Sequence, residues 1–204
     1  MDEARIENGA AQVAAGAWLM PPAQPVAGLG TAVVRGQKGV FVRDRAFVRV
    51  VTTAGETWCA AADRPFLTHL PALPDAPLHL VSAKLLVAPA TARAGARTLK
   101  LVPMSFRRAT VVTDFVRGWA VAATRSRVTR VSVPEGGTLS VRPEAIVAWI
   151  GPDPTGFCPK LSVLDILLPR GPKNLVYSFH GPATVWFEGS ATVPVCSRIR
   201  QQPF

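Results

Sequence analysis

The chain is short of the residues that most directly announce chemistry. Its 204 residues hold three cysteines, three histidines, one tyrosine, and 13 acidic side chains against 23 lysines and arginines. Cys59, Cys158 and Cys196 form no C-x-x-C pair, which argues against a zinc knuckle or a disulfide framework and for reduced, largely buried thiols in a reducing compartment. His69, His79 and His180 form no H-x-H or H-x-x-x-H pair and have no carboxylate at ligand spacing, so no metal site is expected. Ser105, Ser178 and Ser190 lie outside any G-x-S-x-G context, and Gly36-Gln37-Lys38-Gly39 lacks the lysine-hydroxyl pair of a phosphate loop. No apolar run reaches the roughly 18 residues of a membrane-spanning helix. The first seven residues carry three acids and one arginine, which fits neither a secretory signal nor a basic presequence. The chain is therefore read as non-enzymatic, with no cofactor, no metal and no transmembrane segment.

What is present is strand chemistry. Hydrophobic residues make up 49% of the chain, and its 19 prolines and 16 glycines are scattered as punctuation between short β-branched and aromatic runs. Thr31 to Ala61 alone contains several such runs, broken at Gly36–Gly39, Arg43-Asp44 and Ala54-Gly55, which predicts hairpins. LHLVSAKLLVA (Leu78 to Ala88) and LSVRPEAIVAW (Leu139 to Trp149) share one scheme 61 residues apart. Each copy would set a hairpin at an equivalent corner, with Leu85, Leu86, Ile146 and Val147 in the core. The fold expected is all-β: a two-sheet β-sandwich or double-stranded β-helix with an internal pseudo-repeat. Residues 1–30 read as a flexible or partly helical lead-in, with a short helix over Ala10 to Leu19. Residues 31–204 read as a single domain of two similar halves, about 31–104 and 105–204.

The most informative segment is FHGPATVWFEG, Phe179 to Gly189, where Gly181-Pro182 splits two alternating runs and predicts a tight reversal between strands. Together with the apolar run ending in Ala148-Trp149, the pattern Phe179, Gly181, Pro182, Val185 resembles the altered-inheritance-of-mitochondria (mitochondrial biogenesis) family, whose fold is similar to that of the tryptophan RNA-binding attenuator protein. The chain departs from the family at Ala183, where a second glycine is common. The resemblance implies a non-catalytic protein that assembles into trimers or rings through exposed sheet edges. It also implies a mitochondrial location in a eukaryote; otherwise a bacterial cytoplasm is expected.

Charge is regional. Of the +10 excess, residues 35 to 130 carry +11, from 16 basic and 5 acidic side chains, and arginine outnumbers lysine 18 to 5 across the chain. Arginine's planar fork suits phosphate and carboxylate groups. Arg35, Arg43, Arg45, Arg125, Arg127 and Arg130 are the candidates for gripping a polyanion, with Arg125 and Arg127 at strand spacing on one face. The function expected is an oligomeric scaffold or assembly factor that binds protein partners or an anionic membrane surface. The alternative is an RNA-binding module using the arginine-rich face, although no stacking-aromatic signature accompanies it. Trp119, Trp149 and Trp186 are candidate core or interface anchors.

Overall fold

The computed structural model describes residues 5–7, 10–13, 16–20, 26–28, 32–35, 48–52, 57–59, 64–73, 75–89, 94–99, 110–115, 118–157 and 176–189. They form an all-β sandwich of antiparallel sheets, four rather than two. A small sheet has the order β1-β2-β7-β4, from Arg5–Glu7, Ala10–Val13, Thr57–Cys59 and Val26–Gly28. Sheet I has the order β5-β6-β3-β10-β13-β8, from Ala32–Arg35, Val48–Thr52, Gly16–Met20, Leu85–Pro89, Trp119–Thr124 and Phe66–Pro71. Sheet II has the order β11-β12-β9-β16-β19-β14, from Ala94–Leu99, Thr110–Phe115, Leu78–Val81, Ile146–Ile150, Ala183–Glu188 and Val128–Val133. A three-stranded sheet, β15-β18-β17, comes from Thr138–Val141, Val176–His180 and Thr155–Phe157.

Sheet II is covered on both faces. Leu78 and Leu80 of β9, Phe115 of β12 and Trp186 of β19 pack against Leu70, Leu85, Ala120 and Ala122 of sheet I. On the opposite face Val81, Val112, Trp149, Val185 and Phe187 pack against Leu139, Val141, Tyr177 and Phe179 of the three-stranded sheet. That double burial explains why β16 reads Ile-Val-Ala-Trp-Ile with all five residues buried: a strand wet on one face would alternate. Where water returns, alternation returns. On β15 and β18 the buried Leu139, Val141, Tyr177 and Phe179 alternate with the pairs Thr138–His180 and Ser140–Ser178, whose side chains meet at 3.4 and 3.2 Å.

The internal repeat has a structural counterpart. β9 and β10 are joined by the single 3-10 turn Ser82–Lys84, and β15 and β16 by residues 142–145. Leu85, Leu86, Ile146 and Val147 are all buried. Both second strands carry a β-bulge at the same place in the repeat, between Leu85 and Val87 and between Ile146 and Ala148. A bulge inserts one residue and flips the parity beyond it. Val147 and Ala148 thus both face sheet I, and Trp149 turns to the three-stranded sheet, where it meets Phe179 edge-on with centroids 5.7 Å apart.

Three expectations are corrected. The repeats are not hairpins: β9 and β10 belong to different sheets, as do β15 and β16, so each break carries the chain from one layer to the next. The same holds at Gly181-Pro182, a cis peptide bond joining β18 of the three-stranded sheet to β19 of sheet II. A local pattern of turn residues cannot distinguish a hairpin from a layer change, because distant strands decide the pairing. The helix over Ala10 to Leu19 is replaced by β2 and β3, which pair with β1 and β7 and with β6 and β10 respectively; tertiary pairing outweighs the helical preference of alanine. The hairpins placed at Gly36–Gly39, Arg43-Asp44 and Ala54-Gly55 lie outside the described residues, as do Cys158 and Cys196.

Gly181 is needed for space. A Cβ there would stand 1.7 Å from the Pro134 carbonyl oxygen and 2.7 Å from that of Val133, where the Gly181 amide also donates to the Gly137 carbonyl at 3.0 Å. Its backbone lies in no left-handed region, whereas Gly136 has φ +72° with open space around it. Gly181→Ala should therefore cost about 3 kcal/mol, since two backbones must separate. Gly136→Ala should cost about 1 kcal/mol, for the positive φ alone. Urea unfolding of the two variants checks the ranking; equal losses would show that the close approach at Gly181 is not what fixes the corner.

Candidate functional site: a basic end of the sandwich

The strand registers place the chain's layer changes at two opposite ends. Phe66 pairs with Thr124, and Val128 with Glu188, so residue 64, the Ser82–Lys84 turn, residues 125–127 and Glu188 gather at one end. At the other end lie Leu73, Asp75, Gly118, residues 134–137, residues 151–153 and the Gly181-Pro182 corner.

At the first end, side chains from four segments converge. Lys84 and Glu188 form an ion pair with side chains only 15% and 12% exposed. The second Glu188 oxygen accepts the Arg125 amide at 2.9 Å. The Arg64 guanidinium donates to the Ala83 carbonyl, and the Arg127 carbonyl accepts from the Gly189 amide at 3.2 Å. Arg125 and Arg127 are exposed. Burial, with the Arg64 and Arg125 charges beside it, lowers the Lys84 ammonium from 10.5 to about 8. Lys84 thus meets one carboxylate, with the Arg64 and Arg125 charges beside it, at a corner built by chain crossings.

Of the six arginines singled out from the sequence, the four that are described do not share one strand face. Arg43 and Arg45 lie outside the described residues. Arg35 ends β5, the far edge strand of sheet I, four strand steps from β13, or ~19 Å at ordinary strand spacing. Arg125 and Arg127 occupy the bend and coil before β14 rather than a strand face. Arg130 lies on β14, directly opposite Trp186 in the register, and its guanidinium caps that indole at 5.5 Å. Among the described residues the sequence reading missed Arg64 and Lys84. Neither is close in sequence to another cation, and only the fold brings them to Arg125.

The Phe179, Gly181, Pro182, Val185 pattern has a structural role: Phe179 and Val185 are fully buried in one cluster, and the two residues between them make the layer change. Trp119, Trp149 and Trp186 are all buried. His79 Nδ1 donates to Asp114 Oδ1 at 2.7 Å and its ring lies 5.2 Å from that of Trp149. His69 lies 5.4 Å from Trp119. Histidine, cysteine, aspartate and glutamate form no metal-sized group among the described residues.

No family model and no curated protein matches the chain. Among solved structures, it is similar to the crystal structure of a protein from Streptococcus pyogenes. The two superpose with a TM-score of 0.66 over 93% of each chain, at 12% identity. That likeness shows the fold alone. No helix among the described residues is long and apolar enough to cross a membrane.

The Lys84 shift has a sign that can be measured. A lysine whose folded pKa is depressed binds its proton less tightly in the native state than in the unfolded one. The unfolded chain therefore holds more protons between about pH 8 and 10.5, and stability rises with pH in that window. Tyr177 is raised above 10 by burial and works the other way once unfolded tyrosine ionises, so the comparison is made at pH 8 to 9.5, where the thiols titrate alike in parent and variant and only the difference between the two reports the lysine. Urea unfolding across that range should show a rise in the parent that Lys84→Met flattens; parallel profiles would refute the assignment.

Proposed function

We propose that the protein is a non-enzymatic oligomeric scaffold or assembly factor that docks on an anionic partner surface through its basic end. The observation that carries this reading is the gathering of Arg64, Lys84, Arg125 and Arg127 from three segments at one end of the sandwich. Charge of one sign on a rigid corner raises the local concentration of an opposite surface and orients its approach. The oligomeric part is supported by β8 and β14, each the last strand in its sheet among the described residues, because a strand paired on one side still presents backbone donors and acceptors. The segment Phe179 to Val185, with its resemblance to the mitochondrial biogenesis family, is consistent with a scaffold and with a mitochondrial or bacterial cytoplasmic setting.

RNA binding through the same arginines is the second reading, favoured by the exposure of Arg125, Arg127 and Arg130 within six residues. It uses phosphate contacts alone, so its affinity would fall steeply with salt and show little base preference.

Co-sedimentation with vesicles containing phosphatidylserine, against neutral vesicles and single-stranded RNA, tests both. Each basic residue near an anionic surface is worth about 1 kcal/mol, so R125E/R127E should weaken vesicle binding at least roughly tenfold. Undiminished binding would remove the basic end from the function. Retention of RNA with no vesicle binding would move the second reading to the front.

A further inference from the structure

Among the described residues around β8, β13 and β19, the charges sort by end. Its basic end carries Arg64, Lys84, Arg125, Arg127 and Arg142 against Glu144 and Glu188. Its opposite end, around β8, β13 and β19, carries Asp75, Asp114, Glu135 and Asp153; the described arginines level with it, Arg35 and Arg49, lie on β5 and β6 toward the far edge of sheet I. The described residues have two exposed large hydrophobic side chains, one at each end: Phe66 at 38% on the basic end and Leu73 at 48% on the acidic end. Both belong to the edge of sheet I, Phe66 opening β8 and Leu73 lying two residues beyond its close. They are seven residues apart, or ~24 Å along an extended strand.

Each end therefore pairs an apolar contact with an excess of one sign of charge, and the two ends match. We propose that the sandwich associates head to tail with a second copy of itself, Leu73, Asp75 and Glu135 of one copy docking on Phe66, Arg125 and Arg127 of the next. The proposal rests on the reading of the basic end as a docking surface and names its anionic partner. The contact is heterologous: each copy uses two different surfaces, so the assembly closes into a ring if the rotation per step allows and otherwise grows as a filament. Charge complementarity sets orientation and rate, and exclusion of water around Phe66 and Leu73 supplies the apolar part.

The test is a charge swap read by size-exclusion chromatography with light scattering at low salt. The parent should elute as a multiple of its 21.7 kDa and dissociate as salt is raised. R125E/R127E, acidic at both ends, and D75K/E135K/D153K, basic at both ends, should each be monomeric while retaining the parent's circular dichroism. Mixed in equal amounts they should reassemble, because each presents the surface the other needs. A parent that is monomeric at low salt overturns the head-to-tail contact. So do variants that assemble alone as the parent does, or a mixture that stays monomeric. A monomeric parent that still binds anionic vesicles would sink self-association while leaving the docking reading standing; loss of both would sink the two together.

Discussion

With apolar layers on both faces, the sheet built around β9, β16 and β19 has nowhere to place a charge except at its edges and its two ends. Every strand that enters it must leave through an end, and the short breaks that turn the chain there are where polar residues are allowed. The breaks at Ser82–Lys84 and 125–127 gather at one end, and those at 134–137 and Gly181-Pro182 at the other. The separation of cations from carboxylates is thus a consequence of layer topology acting on a basic sequence. Lys84 shows the cost of the arrangement: it sits deep enough for desolvation to lower its pKa, and Glu188 is the partner that makes its burial tolerable.

The two bulges explain how one repeat serves two environments. At the start of β10 and of β16 an extra residue reverses the parity of the residues beyond it. In the second copy that reversal sends Trp149 toward Phe179 and His79, where it fills the layer between sheet II and the three-stranded sheet. The residue at the equivalent place in the first copy is Ala88, fully buried and facing sheet II. One backbone device therefore accepts a large aromatic in one copy and the smallest apolar side chain in the other.

Much of this architecture was legible in the sequence, and the rest was not for physical reasons. Short β-branched runs gave the all-β class, and the apolar run ending in Ala148-Trp149 marked a strand, which the structure shows buried on both sides. The repeat at Leu78 and Leu139 was visible because each copy solves the same crossing. Whether a break is a hairpin or a layer change was hidden, since Gly-Pro and Arg-Pro permit both and the choice belongs to strands far away in the chain. Gly181 illustrates the difference. Sequence marks a turn that wants backbone freedom, and the structure shows instead the Pro134 carbonyl lying where a side chain would begin.

The basic end was half legible for a related reason. Arg125 and Arg127 stand out because they are close in sequence, but sequence spacing alone would have grouped them with Arg130, whose side chain lies over Trp186 and serves the sheet edge. Arg64 and Lys84 carry no local signal, yet they complete the corner because the crossings before β8 and between β9 and β10 end where that between β13 and β14 does. A charge row read along a strand is diluted by the alternation of faces, whereas charges placed at crossings are gathered at one end of the sandwich. In a fold whose faces are sealed by other layers, the crossings are the places to look for function.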